Sequence, residues 1–278
     1  MRINRFIYLD KYNVAIKSLL TLLCGILLLL PLASQASLGA RPAYLFVDLN
    51  KRNPSGTFTI SNLGDTKQTY RARAIHFELK EDGSIFPVKP DDYSLAEWIK
   101  FNPKEFTLPP HTSRLVRFTI VASTHKLKPR EYWGAIEFTP LTGASFTNTD
   151  KQGRKMEFKV ITALLIPIYG EMPGIVYDGS IKDVSAEQDG SHLKLSAMIA
   201  NTGQGGLRIS GNWKIFDKES GKLVKTVKTG KSLILPQQRR HLVTKTDEVI
   251  PAGQYTVILT LQYSDGKTMS AQNDVSLQ

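Results

Sequence analysis

Cysteine is almost absent from this sequence, which contains only Cys24, in an apolar segment near its start. Beyond that segment the chain has no thiol, so it can form no internal disulfide, thiolate metal site or cysteine nucleophile there. Small exported domains often depend on disulfides. Any domain of this chain must instead be stabilised by packing alone.

The apolar segment has the composition of a secretory signal peptide. Several basic residues precede the run Leu19–Leu32, and Ala33-Ser34-Gln35-Ala36 follows it. A basic start, a short apolar region and small residues before the cut mark such a peptide. We therefore expect a signal peptide over residues 1–36 and export of the rest. A lipoprotein signal is not expected, because bulky leucines precede Cys24. The alternative is a retained membrane anchor, but the run is shorter than the roughly 20 residues that span hydrocarbon.

Signals of catalysis and cofactor binding are also missing. Gly203-Gln204-Gly205-Gly206 is predicted to be a hairpin turn and not a phosphate loop, because it leads into a strand pattern. No Gly-x-Ser-x-Gly nucleophile motif occurs. The histidines show no ligand spacing, and each is predicted to be a surface or turn residue: His76, His111, His125, His192 and His241. We therefore expect no catalytic, cofactor-binding or metal-binding residues, and a protein that is not an enzyme.

The net charge is strongly positive but dispersed. The formal charge is +11, yet the basic residues are scattered and no Lys/Arg block stands beside stacking aromatics. Nucleic-acid binding is therefore not favoured. A solvated basic surface that attracts an acidic partner agrees better with this distribution.

The dominant period after Ser37 is two. Thr57–Ser61 and Thr69–Ala74 alternate polar and apolar residues, as half-buried antiparallel strands do. Turn residues separate such segments, which predicts a sandwich or barrel. One short helix is predicted over Ser94–Ile99, where Ser94 caps and Glu97 stands at the capping-box position.

A weak internal repeat divides the chain. Ser61-Asn62-Leu63-Gly64 in the first half corresponds to Ala200-Asn201-Thr202-Gly203 in the second, and Leu108-Pro109-Pro110 corresponds to Leu233-Ile234-Leu235-Pro236. In both halves a Pro-containing loop then leads to a tyrosine, Tyr132 or Tyr255, which is similar to the tyrosine corner of immunoglobulin-like sandwiches. We therefore predict an all-β protein of two tandem immunoglobulin-like β-sandwich domains, over residues 37–170 and 171–278, with a boundary at a Gly/Pro-rich interruption.

Three segments of the first half resemble the periplasmic pilus-assembly chaperones of the chaperone–usher pathway: Phe58–Asp65, Leu108–Phe118 and Arg130–Phe138. The resemblance is best over residues 37–170, and in the second half it depends mainly on the repeat. It implies a periplasmic chaperone for fimbrial or pilus biogenesis, with secreted pilin-like subunits and an outer-membrane usher as its protein partners.

The resemblance also implies a binding mode. In that family the last strand of the first domain lends alternating apolar side chains to a subunit that lacks one strand. The candidates for this subunit-binding strand are Met156, Phe158, Val160 and Ile161. The polar stretch Thr142–Lys155 before them is predicted to stay flexible until a partner binds. The alternative is that Met156, Phe158 and Val160 cover the core of their own domain.

One departure from the family concerns its anchor for the subunit's terminal carboxylate, an Arg in the first strand and a Lys in the last strand. Arg41 is the candidate for the Arg, whereas Leu165 stands where the Lys is expected. Either the chain grips subunits in another way, or it is an immunoglobulin-like binding or structural module of the periplasm or cell surface without an assembly role.

Overall fold

The structure is a computed structural model that describes residues 38–122, 127–150, 154–247 and 249–278. The side chains of residues 144–146, 148, 149, 157–159 and 265 also lie outside this description. The predicted signal peptide, residues 1–36, lies outside the described residues. So does His125.

Strands make up the regular structure of the first half. In chain order they are β1 Leu38–Arg41, β2 Leu45–Asp48, β3 Ser55–Asn62, β4 Gln68–Leu79, β5 Ile85–Val88, β6 Ile99–Asn102, β7 Glu105–Leu108, β8 Ser113–Ile120, β9 Glu131–Pro140, β10 Ala144–Thr149, β11 Lys155–Val160 and β12 Leu164–Glu171.

Two sheets of this half enclose a core. One has the order β1-β3-β8-β6, and the other has the order β2-β12-β9-β4-β5, with β7 paired to β4. Apolar residues on alternate positions of both sheets fill the space between them, led by Phe58, Phe118 and Phe138. Strands β10 and β11 form a separate two-stranded sheet. The first half is therefore a β-sandwich with an additional hairpin.

The second half repeats the sandwich. Its strands are β13 Gly179–Asp189, β14 His192–Asn201, β15 Leu207–Asp217, β16 Leu223–Lys228, β17 Ser232–Ile234, β18 Arg239–Thr246, β19 Gly253–Gln262 and β20 Thr268–Leu277, with a 3-10 turn at Ser264–Gly266. They form the sheets β13-β14-β18 and β16-β15-β19-β20, with β17 paired to β15. Trp213 lies fully buried between these sheets. The predicted all-β class with two tandem immunoglobulin-like sandwiches is confirmed; the exact domain boundaries stay a prediction.

A buried asparagine explains why the repeat is visible in the sequence. In the first sandwich the amide nitrogen of Asn62 donates to the carbonyls of Leu108 and Pro109, 3.2 and 3.1 Å away, and its oxygen accepts from the Gly64 N–H. The side chain thus joins a turn to a distant strand end. Each half needs an amide side chain at this position, because the side chain must donate and accept hydrogen bonds at the same time.

The second sandwich contains the same brace. The amide nitrogen of Asn201 donates to the carbonyls of Gly205 and Ile234, both at 2.9 Å, and its oxygen accepts from Gly203 N–H. The tyrosines also correspond: the Tyr132 hydroxyl accepts from Lys128 N–H, and the Tyr255 hydroxyl donates to the Pro251 carbonyl. Both make their bond four residues upstream, as a tyrosine corner does.

The predicted helix at Ser94–Ile99 is wrong. The Ser94 hydroxyl does accept from Ala96 N–H, and Ile99 N–H donates to the Leu95 carbonyl, but this makes one turn only. Pairing with β8 ends this turn, because the Trp98 carbonyl accepts from Val121 N–H and β6 begins at Ile99. The tertiary pairing outweighs the local capping signal.

The two sandwiches pack against each other within one compact unit, Leu38–Gln278. A third apolar cluster lies between them, in which Leu235 of the second sandwich packs with Phe77 and Trp133 of the first. The Gln238 side chain accepts from Leu79 N–H at 3.1 Å, and His241 N–H donates to the Glu81 carbonyl at 2.9 Å. Their relative position is therefore stabilised by both apolar and polar contacts.

Candidate functional site

The segment that connects β9 to β12 carries the predicted binding residues. It contains the β10–β11 hairpin, whose register pairs Ala144 with Val160 and Thr149 with Lys155. The polar stretch that was predicted to stay flexible therefore includes a strand, β10. Its residues show little apolar alternation, so the periodicity of the sequence does not reveal it.

Three of the four predicted binding residues have described side chains, and all three are exposed. Met156 is 44 % exposed, Val160 52 % and Ile161 48 %. Met156 and Val160 share a face of β11, whereas Ile161 follows the end of the strand. Phe158 lies in β11 by its backbone. For Met156 and Val160 the alternative that they cover their own core is wrong.

The edge of β11 opposite β10 has no strand partner among the described residues. A similar opening continues into β12. Leu164–Pro167 pairs with β9 on one side, but β2 begins to pair with the other side only at Ile168. We call the outer edge of β11 together with that of Leu164–Pro167 the open edge. Unpaired N–H and C=O groups on such an edge can form backbone hydrogen bonds with an added strand.

Arg41 and Leu165 belong to different sheets of the first sandwich. Arg41 is exposed at the end of β1, where its cross-strand neighbour is Thr59 in the four-stranded sheet. Leu165 lies in the other sheet and packs against the apolar cluster between the sandwiches. An apolar side chain at Leu165 supplies no charge for a carboxylate, and the role of Arg41 as a carboxylate anchor stays a prediction.

The row of residues that crosses the sheet at Leu165 contains a charge pair. Leu165 stands opposite Glu137 on β9, and Glu137 stands opposite Arg73 on β4. The Glu137 side chain is nearly buried and accepts a hydrogen bond from the Arg73 Nε. This bond and the charge of Glu137 raise the pKa of Arg73. The row across the sheet thus contains an arginine that is already paired with a carboxylate.

A second glutamate on β9 joins the two sandwiches. Glu131 is fully buried and accepts two hydrogen bonds from the Arg208 guanidinium, at 3.0 and 3.1 Å, and one from Gly206 N–H at 3.1 Å. Burial alone would lower the pKa of Arg208, but the hydrogen bonds and charge of Glu131 outweigh this effect and raise it. Sequence reasoning missed this pair, since the residues lie far apart in the chain.

Arg208 also lies over two aromatic rings of the first sandwich. Its guanidinium carbon is 4.4 Å from the centroid of Phe46 and 5.0 Å from that of Tyr169, within the range of a cation–π contact. Burial raises the pKa of the Tyr169 hydroxyl to about 12, although the positive charge of Arg208 opposes the rise. Phe46 remains 47 % exposed, and Tyr44 beside it 55 %.

Two further sequence predictions are wrong. Gly203–Gly206 is not a hairpin, because β14 and β15 belong to different sheets and the loop crosses between them.

His76 is buried rather than a surface or turn residue. Its Nδ1 lies 3.2 Å from the Trp133 carbonyl oxygen and its Nε2 3.0 Å from Asp91 Oδ1. The long-range packing of β4 against β9 buries this ring.

No group of His, Cys, Asp and Glu in the described residues is arranged to hold a metal ion. In the same part of the chain, no helix has both the length and the apolar character needed to cross a membrane.

No protein-family model matches the chain. No curated protein matches it either. Several solved structures of chaperones are similar to it. A chaperone–tip adhesin complex of CFA/I fimbriae biogenesis is 12 % identical, with 86 % of this chain and 99 % of that chain covered and a TM-score of 0.44. The Escherichia coli chaperone DraB is 17 % identical, with 87 % and 97 % covered and a TM-score of 0.41.

A third similar structure is the CsuC–CsuE chaperone–tip adhesion subunit pre-assembly complex from archaic Csu pili of Acinetobacter baumannii. It is 14 % identical, with 87 % of this chain and 98 % of that chain covered and a TM-score of 0.41. At such identities the likeness concerns the fold, and the argument for function comes from the open edge.

Proposed function

We propose that this protein is a periplasmic chaperone that binds structurally incomplete secreted subunits of a pilus or fimbria. It does so by strand donation (strand lending below), in which the open edge pairs with the subunit's sheet. The observation that carries the proposal is the exposure of Met156 and Val160 on a strand that, within the described part of the chain, is paired on one side only. Exposed apolar edges promote aggregation, so natural proteins usually cover or blunt them. An edge that keeps apolar side chains at alternate positions matches a partner whose sheet lacks one strand.

The open edge offers such a partner two kinds of contact. Backbone groups of β11 and Leu164–Pro167 form the hydrogen bonds, and alternate side chains enter the groove left by the missing strand. The partner is then capped while it remains incomplete, and we propose that it is delivered to an outer-membrane usher. No step in this scheme requires a catalytic group.

The capped partner is not held by a terminal-carboxylate clamp at Arg41 and Leu165 in this proposal. Arg41 belongs to the other sheet, and Leu165 is apolar and partly buried. The strand contacts therefore supply most of the affinity. We expect removal of the partner's terminal charge by amidation to change its affinity less than twofold.

Co-expression tests the proposal. The exported protein is produced in the periplasm with each secreted protein encoded beside it, and soluble complexes are recovered by affinity capture. We expect a subunit to be captured by the natural protein and lost with Met156→Asp and Val160→Asp. Leu115→Asp is the matched control, because Leu115 is 59 % exposed on β8 in the other sheet. Capture that survives the β11 changes, or that Leu115→Asp abolishes equally, would contradict strand lending.

A further inference from the structure

The outer face of the four-stranded sheet β1-β3-β8-β6 is basic. None of the residues in these four strands is Asp or Glu. Three exposed cations lie on this face, Arg41 on β1, Arg117 on β8 and Lys100 on β6. The other outward side chains of the paired residues are serine, threonine, asparagine and Leu115. We call this surface the basic face.

The strand registers place the three cations on the same side of the sheet. Arg41 stands opposite Thr59, and Thr59 stands opposite Leu115. Arg117 is two residues beyond Leu115 on β8, and Lys100 stands opposite the β8 residue two positions further on. Buried residues alternate with these positions on β3 and β8. The cations therefore share the solvent side of the sheet.

These cations lack the carboxylate partners that arginines of the other sheet have. On that sheet Arg71 is paired with Glu105 and Arg73 with Glu137. Within the described part of the chain, no cation of the basic face forms an ion pair. The Nζ of Lys100 donates to a backbone carbonyl at 2.8 Å, which leaves its charge without a counter-charge. The positive potential of this face is thus available to a partner.

The cations are too widely spread to hold one small anion. Arg41 and Lys100 lie on the two outer strands of the sheet. Strands are spaced by about 4.8 Å and rise about 3.3 Å per residue, so these two positions are separated by roughly 14 Å across the sheet and roughly 13 Å along it. One phosphate or carboxylate cannot contact both side chains. An extended anionic surface can neutralise all three cations.

The apolar residue on the basic face indicates which kind of anionic surface fits. Leu115 is 59 % exposed and lies between the cations. Cations around an exposed apolar side chain suit a membrane interface, where basic groups meet lipid phosphates and apolar groups enter the boundary of the acyl chains. An acidic protein surface would satisfy the cations but gives no use for the leucine at their centre.

We propose that the basic face docks this protein on a membrane of anionic lipids, with the cations against the phosphates and Leu115 between the headgroups. The proposed function places the protein in the periplasm, which lies between two membranes. The second sandwich packs against the other sheet, and the open edge also lies outside the basic face. A docked protein therefore keeps its open edge available to a client. Docking is tested without a client, so the failure of either proposal leaves the other untouched.

Cosedimentation of the purified exported protein with lipid vesicles measures docking. At low salt we expect about a hundredfold preference for vesicles rich in phosphatidylglycerol over vesicles of phosphatidylcholine alone, since each cation contributes about fivefold. The preference should be lost near 1 M salt, where charges are screened within about 3 Å. Arg117→Gln and Lys100→Gln should each weaken binding about fivefold. Leu115→Ser should weaken it by a similar factor, because the inserted apolar area is lost.

Lys214→Gln is the matched control. It removes the same charge from an exposed lysine of β15 in the second sandwich. We expect its binding to stay within twofold of the natural value. If Lys214→Gln weakens binding as much as Arg117→Gln, the protein adsorbs through its net charge and the proposal is overturned. It is also overturned if the natural protein binds immobilised polyglutamate but not anionic vesicles, or binds neither, or if Leu115→Ser leaves vesicle binding unchanged.

Discussion

The two sandwiches differ most in the connection between one corresponding pair of strands. In the second, β19 and β20 are adjacent and antiparallel, and residues 263–267 join them with a 3-10 turn. In the first, the corresponding strands β9 and β12 are joined by residues 141–163, which carry a hairpin. Hairpin loops of two to five residues are the norm. The short connection shows that the sandwich fold does not require the long one; the proposed function assigns the additional hairpin to subunit binding.

The strongest test concerns what makes the two sandwiches one unit. Arg208→Ala removes the partner of Glu131, which is fully buried. We expect a loss of about 3–5 kcal/mol of unfolding free energy, because an uncompensated charge stays buried. Chemical denaturation followed by tryptophan fluorescence measures it. Arg71→Ala is the control, since Arg71 and Glu105 form an exposed pair worth about 0–1 kcal/mol. A loss below about 1 kcal/mol for Arg208→Ala would contradict the assigned role.

The next effect tests the feature that the sandwiches share. Asn62→Ala and Asn201→Ala each strand buried carbonyls and a glycine N–H. We expect losses of about 2–3 kcal/mol from each, similar in both halves. Denaturant titration compares them with Asn212→Ala, an exposed change in β15 expected to cost less than about 0.5 kcal/mol. Clearly unequal losses at Asn62 and Asn201 would show that the braces are not equivalent.

Much of the shared architecture could be predicted from the sequence because its causes are local. The turns at Asn62 and Asn201 share an asparagine and a glycine two residues later, and both are followed by a proline-containing loop. The contacts between the sandwiches could not be predicted in this way. Glu131 and Arg208 lie in different halves, and neither periodicity nor spacing connects them.

The candidate site was predictable only in part. Alternation identifies Met156 and Val160 as one face of a strand, but exposure depends on where that strand lies relative to both sheets. The partner strand β10 is mostly polar, and its apolar alternation is limited to Ala144 and Phe146. In the sequence, Leu165 is an isolated difference from the family's lysine. The structure shows that it packs against the apolar cluster between the sandwiches, to which Leu235 of the second sandwich belongs.

A smaller effect is expected from Tyr169, at the contact with Arg208. Its ionisation should lower the unfolding free energy by an amount on the order of 2 kcal/mol as the pH rises from the unfolded to the folded pKa. Its pKa is raised from 10.0 to about 12 by burial. The neutral hydroxyl is thus favoured in the folded state. This contribution is complete below pH 10 and decreases as the pH rises towards 12. We expect Tyr169→Phe to lose less stability than the natural protein between pH 9.5 and 11.5, by isothermal denaturation. Parallel losses in both proteins would exclude a role for this hydroxyl.

The smallest expected effect on stability comes from making the two connections alike. Replacing residues 141–163 by Tyr-Ser-Asp-Gly-Lys, the sequence of residues 263–267, should change the unfolding free energy by only about 1–1.5 kcal/mol, since loop length enters only logarithmically. Capture of subunits should nevertheless be lost. A matched control replaces the same residues by a Gly/Ser linker of unchanged length. If the short version unfolds or still captures subunits, the distinction drawn between the two connections is wrong.

The position of β2 has a further consequence for anything laid along the open edge. β2 occupies the outer side of β12 from Ile168 onwards, so an added strand must stop there. At about 3.3 Å per residue, the stretch from Lys155 to Pro167 spans roughly 40 Å when extended. The sandwich thus fixes the position at which the added strand ends. This position determines which residues of a longer partner remain outside the complex.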